Sequence, residues 1–294
     1  MKIIHQSALD KSRWDQLVAD NSARIFSCSW YLDACAQDWY VLVDADFQNG
    51  IALPFTEKLG IRVLYPPVFM RELDFIGTDM HFQREAQQLI RDSFPAGQFQ
   101  TTQPWNISPF TERIYQQISG PYKLNQQAIR MVRKAGKSAL EIRKTNDWPA
   151  IYAIICAELS DKISEFNPAN LRRLQALLQQ LEAHGQLHSY GIFNGQELTG
   201  GLLFMQQADR LTYLKGAAMP ASRDAGGMYL GMEQAIQYAQ SQELHFDFGG
   251  SSVPGVRRFN LNMGGTDKTY FSYNWDRTPW WFKLTKSVYR RFKK

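Results

Sequence analysis

"HFDFGGSSVPGVRRFNLNMGG", residues His245–Gly265, sets two Gly-Gly pairs around one short basic segment. Leu244–Phe248 reads as a short strand, and Gly249-Gly250 as a sharp turn that needs freedom in φ. Pro254 to about Asn262 reads as a short helix, because proline suits the first helical turn. Gly264-Gly265 then turns the chain into a last strand, "KTYFSYNW", in which Phe271, Tyr273 and Trp275 alternate with polar residues and bury one face. Asp247, just before the glycines, has two uses: capping the turn by accepting backbone N–H bonds, or taking a proton.

Working back from this stretch, strands and helices follow one another in a fixed order. "SALEIRK" is a strand; Asn146-Asp147 with Pro149 starts a helix to about Ser160, and Asn167-Pro168 starts another. In that second helix Leu171, Leu174, Leu177, Leu178 and Leu181 recur at helical spacing, and Gly185 stops it. Asn194-Gly195 joins two strands as a hairpin, and Ala208-Asp209 turns into a third, "RLTYLKGAA". A loop, "MPASRDAGG", leads to a helix from about Met228 to Gln242.

The first half carries a fainter version of this order. "KII" is a strand, followed by helices around Asp10–Asp20 and Trp30–Gln37. "YVLVD" and "GIALPFT" are strands joined by a turn at Asn49-Gly50, and "IRVLY" and "ELDFIG" add more strand. A helix at about Gln83–Ser93, a strand near "GQFQTT" and a helix at "FTERIYQQI" complete it, and "NQQAIRMVRKAG" reads as a linking helix. The expected organisation is a unit at 1–120, a linking helix at 121–137, a second unit at 138–277 and a basic helix or tail at 278–294 packing back on the first unit.

Composition limits the function classes. With 44% hydrophobic and 13% aromatic residues the chain can build a large core, which argues against disorder. No signal-peptide pattern and no membrane-length apolar run is present, so the default location is the cytoplasm. Cys28, Cys35 and Cys156 have no metal spacing and give no disulfide framework; only His184 and His188 among the histidines are close, and no metal site is expected. The net charge of +5 is uneven, with basic clusters at Ile129–Lys144 and in "FKLTKSVYRRFKK" at the end. Such clusters suit phosphate-bearing ligands, nucleic acid or an anionic membrane face; the plainer reading is a solvated helix face.

The order in the second half resembles that of the GNAT superfamily of acyl-CoA N-acyltransferases. That resemblance implies an α/β fold (α+β, mixed sheet) of two tandem GNAT-like units, with strands that splay to admit an acyl carrier. It also implies that the loop "SRDAGGMYL" cradles the carrier's pyrophosphate on backbone N–H groups at a helix start. Arg223 and Gly226 fit the superfamily's loop pattern, Gly227 lies between, and Met228 departs from it where a small residue is usual. The tandem arrangement, with "DFGG", then Phe259, then Gly264-Gly265, resembles the Fem family of peptidoglycan aminoacyl transferases and its acetyltransferase relatives. "MVRKAGKSALEIRK" resembles the family's entry to the second unit. Asn260 stands where that family places a lysine, which puts Fem-type use of aminoacyl-tRNA in doubt.

Acyl transfer to an amine needs a neutral amine, a polarised carbonyl and a protonated leaving group. On this reading Asp247, Tyr213 and Tyr270 are the acid–base candidates; Arg223, Gly226, Gly227 and Met228 hold the carrier. Lys215, Tyr229, Gly249, Gly250, Arg257, Arg258 and Asn260 line the substrate site. The two-residue period of a strand puts Tyr213 and Lys215 on one face. Each has a plainer role: the tyrosines as sheet residues, Asp247 as a turn cap, the glycines as turn geometry. The expected function is an N-acyltransferase using acetyl-CoA or another acyl-CoA, with a small-molecule or cell-envelope precursor amine as acceptor. The alternatives are a Fem-like transferase that takes an aminoacyl group from tRNA, and a non-catalytic binding protein on the same fold.

Overall fold

Capping side chains and prolines fix where the helices of this chain begin, as seen in a computed structural model that describes residues 1–107, 109–160, 166–250 and 253–282. Asn125 accepts from the Ala128 N–H to start α4 (Gln126–Gly136), Asp147 accepts from Ala150 to start α5 (Trp148–Leu159), and Asn167 accepts from Ala169 and Asn170 to start α6 (Pro168–Ala183). The chain divides into two compact units, Met1–Arg113 with Tyr270–Lys294, and Ile114–Thr269. This differs from the organisation expected from sequence. The helix expected to link the units, α4, lies inside the second, and the last strand enters the first unit at Tyr270. Residues 283–294, most of the basic tail, lie outside the described residues.

In the first unit β1 (Lys2–His5) pairs with β2 (Asp38–Val43), β2 with β3 (Gly50–Lys58), and β3 with β4 (Ile61–Leu64), all antiparallel. β4 then runs parallel to β5 (Ala96–Thr101), and β5 pairs antiparallel with the later part of β12 (Thr266–Asp276). Three helices accompany them: α1 (Lys11–Asp20), α2 (Ser29–Cys35) and α3 (Met80–Ser93). Trp14, Tyr31, Leu32, Trp39, Leu42, Ile51 and Leu53 are fully buried. The polar edges of the aromatics are satisfied: Trp14 Nε1 donates to Ser27 O at 2.7 Å and Tyr31 Oη to Phe69 O at 2.6 Å.

The second unit repeats the pattern with longer strands. β7 (Leu140–Lys144), β8 (Leu187–Asn194), β9 (Glu197–Gln207) and β10 (Arg210–Ala218) pair antiparallel in succession. β10 runs parallel to β11 (His245–Asp247), and β11 antiparallel to β6 (Phe110–Ile118). The short α7 (Pro220–Asp224) and α8 (Gly227–Ser241) connect β10 to β11, and α9 (Pro254–Asn262) connects β11 to β12. α4 and α8 pack on one face with Tyr190, Ile192, Leu202, Phe204, Phe246 and Met263. α5 packs on the other, where a side chain on Gly201 would strike Ile151.

Four expectations from the sequence give way here. "FTERIYQQI" is strand β6, not a helix: Thr111, Ile114, Tyr115 and Ile118 suit a pleated surface, and the chain from Tyr115 to Ile118 is buried. "ELDFIG" is extended but makes only one bridge, Ile76 with Gly50. "MPASRDAGG" contains α7, because Pro220 can open a helix. Asn49-Gly50 does not form a two-residue hairpin; the loop spans residues 44–49, tied by the Asp44 carboxylate to Gln48 N and Asn49 Nδ2. In β12, Tyr273 is fully buried as the alternation requires, while Phe271 and Trp275 are only half-buried.

Candidate active site

The parallel pair β10/β11 is the origin of the site. The two strands pair only over Arg210–His245, Leu211–Phe246 and Thr212–Asp247, after which β11 ends and β10 continues to Ala218. Beyond Thr212, β10 keeps β9 as its ladder partner. Its other edge therefore carries backbone groups aimed into the space where the strands part. Gly249 follows at φ +79, and a side chain there would meet Tyr213 O at 2.4 Å, so only glycine lets the chain pass so close to β10. Gly250 also has φ +79.

A bulge in β10 redirects the candidates. Tyr213 faces Phe204 of β9 and Lys215 faces Leu203, with the register shifting between them. Phe204 and Leu203 are consecutive, so they point to opposite faces, and so do Tyr213 and Lys215. This overturns their expected common face. Tyr213 packs into the α4/α8 core, its ring 5.5 Å from that of Phe204, and burial pushes its phenol well above the ordinary value. The phenol thus stays protonated at physiological pH. Lys215 lies on the α5 side with Nζ 4.7 Å from the centre of the Phe166 ring.

At the far end of β10, α7 and α8 meet in the loop Arg223–Met228. Gly226 stands at the helix start with φ +97, and no side chain caps α8. A side chain at Gly226 would lie 2.6 Å from Met131 O of α4, and one at Gly227 would lie 3.0 Å from both Ile192 Cγ2 and Ser222 O. Lys134 of α4 donates to Asp224 O at 2.8 Å and fixes the loop from outside. Arg223 is half-exposed, 3.8 Å from Glu158 and 3.7 Å from Asp224. Met228 leans on the core, as does Tyr229, whose ring meets Phe259 edge-on at 4.7 Å. The arrangement is a glycine-opened helix start, which favours an anion.

The remaining predicted residues have structural partners. Asp247 is fully buried; Oδ1 accepts from Gly249 N at 2.9 Å and Oδ2 lies 3.5 Å from Arg210 Nη1. It therefore caps the glycine turn, the plainer of its two expected uses. Asn260 is buried and donates to Gln116 Oε1 at 2.9 Å; Gln116 donates in turn to Asp267 Oδ1 at 2.8 Å, and Asp267 pairs with Arg257. The Arg257 hydrogen bond holds the Asp267 carboxyl below its usual range. Asn260 is thus held inside the second unit, whereas Arg257, though paired with Asp267, and Arg258 are both exposed. Tyr270 belongs to the first unit; burial raises its phenol, against the influence of Arg113 and Arg71. Gln116 and Asp267 were not foreseen: Gln116 lies in the segment taken for a helix, and a strand reading would have set it beside β11. Among the described residues no cluster of metal-binding side chains occurs.

Residues 126–260 match the family described as Acetyltransferase (GNAT) domain. The whole chain is similar to the crystal structure of FemX, at 12% identity and a TM-score of 0.67, covering 94% of this chain and 98% of that one. An acetyltransferase from the GNAT family of Colwellia psychrerythraea aligns at 11% identity and TM-score 0.55, over 94% and 100% of the two chains. A tandem GNAT protein from the clavulanic acid biosynthesis pathway aligns at 10% identity and TM-score 0.50, over 95% and 99%. No curated protein matches. At such identities the likeness is one of fold, and the expected α/β class with tandem GNAT units holds. Residues 126–260 thus match the model of the GNAT acetyltransferase domain, and the chain has the fold of FemX and of tandem GNAT proteins.

Proposed function

We propose that the chain is an N-acyltransferase that takes an acyl group from coenzyme A and passes it to an amine. The domain match supports acyl transfer in general. The observation that carries the finer reading is the joining of two features in one unit. The glycine-opened start of α8 follows, after the short α7, on the stretch of β10 that has left β11. In this proposal the amides of Gly227 and Met228 hold the carrier's phosphates, and the edge of β10 after Thr212 that faces away from β9, paired by no other described strand, takes the acyl arm and polarises its carbonyl. The neutral amine attacks the thioester carbonyl, the C–S bond breaks as the C–N bond forms, and the proton the nitrogen loses ends on the departing thiolate, with no covalent intermediate on the protein. Asp247 holds the turn that keeps the strands apart. Tyr213, half-buried and with its phenol protonated, is a hydrogen-bond donor beside the gap.

A second reading, transfer of an aminoacyl group from tRNA to a cell-wall precursor, is favoured by one observation. Arg130, Arg133 and Lys137 are exposed on or beside α4, which packs against α8. Isothermal titration with coenzyme A, acetyl-CoA, longer acyl-CoAs and tRNA, at low and high salt, separates the readings. The expected result is acyl-CoA binding that survives salt and weakens at least about a hundredfold in Arg223→Ala/Gly226→Val. Undiminished binding in that variant sinks the loop assignment. Salt-sensitive tRNA binding without acyl-CoA binding selects the second reading. Acyl-CoA binding with no transfer across a panel of amines leaves a binding protein.

A further inference from the structure

The first unit buries charges that the acyl-transfer proposal does not use. They follow a turn in which Met70 N donates to Pro67 O at 3.2 Å and Phe69 takes φ +70. A positive φ is costly for a residue with a Cβ, and Tyr31 Oη, on the Phe69 carbonyl at 2.6 Å, holds it there. The residues from Met70 to Leu73 are all buried. Arg71 grips Glu72 through two nitrogens, Nε on Oε2 and Nη2 on Oε1 at 2.9 Å, and their side chains are 6% and 0% exposed. Arg24 Nε stands 3.7 Å from the same Oε1. Arg71 and Glu72 also act on Tyr270, whose hydroxyl Arg113 hydrogen-bonds. Arg113 Nε is buried without a hydrogen-bond partner among the described residues.

Charge does not close in this group. Among the described residues tied to it, the guanidiniums of Arg24, Arg71 and Arg113 face the carboxylates of Glu72 and Asp74, three against two. Asp74 is already engaged by Thr102 through N and Oγ1. Desolvated charge is costly unless balanced and hydrogen-bonded, and apolar side chains would fill the same space at less cost. One negative charge from outside completes the group. A planar carboxylate supplies it in the geometry a guanidinium fork matches, whereas a dianionic phosphate overshoots by one charge. The way in is a cleft that Arg71 and Glu72 line with Tyr65, Pro66, Met70 and Phe99. Those last four side chains suit an apolar body behind the carboxylate.

We propose that this cleft of the first unit binds a small monocarboxylate, with Arg71 as its direct partner and Arg24 and Arg113 supplying the charge it balances. None of these residues serves in the acyl-transfer proposal, so the two stand or fall separately.

Titration calorimetry on the full chain, at constant ionic strength, tests it with benzoate, benzyl alcohol and phenyl phosphate. Benzoate should bind saturably, phenyl phosphate more weakly, and benzyl alcohol not at all. Arg71→Leu/Glu72→Leu removes the pair without stranding either charge, and should weaken benzoate at least about tenfold. Arg113→Gln leaves the cleft wall in place and should weaken it about tenfold through the lost charge, so it decides the matter even if the pair variant does not fold. Arg223→Ala/Gly226→Val, at the other proposed anion site, should bind benzoate as the wild type does. The proposal is overturned if benzoate does not bind, or if benzyl alcohol binds as well, which would make the cleft merely apolar. Phenyl phosphate binding more tightly than benzoate also overturns it, as does benzoate binding that survives Arg113→Gln undiminished or is lost in Arg223→Ala/Gly226→Val.

Discussion

The two units each insert one parallel strand pair into an antiparallel run, and they treat it in opposite ways. In the second unit β10 extends from Tyr213 to Ala218 past its last pairing with β11. In the first, β4 stops at Leu64, where its pairing with β5 also stops. The chain after it then turns onto β5: Leu73 N donates to Gln100 O at 2.8 Å, and Thr102 donates through N and Oγ1 to Asp74, each at 2.7 Å. The following helices differ in the same sense. Asp79 caps α3 by accepting from His81 N at 2.8 Å and Phe82 N at 3.2 Å, whereas α8 begins at Gly226 without a cap. One topology therefore yields a self-satisfied scaffold in one unit and an open strand edge with an uncapped helix start in the other. The proposed donor site follows from the stretch of β10 that no described strand but β9 pairs and from a helix start without a side-chain cap.

The largest effect should come from closing the approach that keeps the second gap open. Gly249→Val puts a side chain 2.4 Å from the backbone oxygen of Tyr213 at φ +79, and neither the oxygen nor the torsion can yield cheaply. A loss of about 3 kcal/mol or more in denaturant unfolding is expected. The matching change in the first unit, Gly97→Ala, meets the ring of Trp275, a half-buried side chain able to shift, and should cost less. Equal losses would erase the distinction between the two strand pairs.

Next in size is the buried polar chain from Asn260 through Gln116 to Asp267. Asn260→Ala leaves Gln116 Oε1 without its donor in a dry position, a loss of about 1–3 kcal/mol. Asn260→Lys should fare no better, because the space beside Gln116 is formed for an amide. If Asn260 instead touches substrate, as its place in the motif suggested, alanine will lower turnover and leave the denaturation midpoint unchanged.

Much of this was legible in the residues, for reasons that can be named. Asn125, Asp147, Asn167 and the Pro–helix starts act within one turn, so α4, α5 and α6 could be bounded from the sequence. The glycine loop at 226–227 was visible for the same local reason. β6 was not: its two glutamines look like a solvated helix face, and only the long-range partners Asp267 and Asn260 make Gln116 a core residue. The opposite facing of Tyr213 and Lys215 was hidden too, since a bulge arises between strands and leaves no mark on either. The same limit applies to Asp247: strand, turn and acid–base roles share one sequence, and the Gly249 and Arg210 contacts belong to the fold.

A smaller effect tests the first unit's self-sufficiency. Asp79→Ala should cost about 1 kcal/mol, the usual value of an N-cap, and leave acyl-CoA affinity untouched. Acyl-CoA binding altered by this change would mean that the first unit's helix start is also a ligand site.

The smallest effect is a pH slope that belongs to the second unit. His188, buried on β8, is held below its ordinary value of 6.5 chiefly by desolvation and secondarily by Lys144. The unfolded chain therefore binds this proton before the folded one does. Its contribution to stability is whole above the ordinary histidine value and is lost as pH falls through the lower folded value. Denaturation midpoints followed downward from neutral pH should decline in the wild type, and His188→Gln should remove that part of the decline. Because burial is the larger cause, Lys144→Gln should flatten the slope only in part. A slope that vanishes with Lys144→Gln would make the neighbouring charge, and not the packing of α8 over β8, the source of the shift.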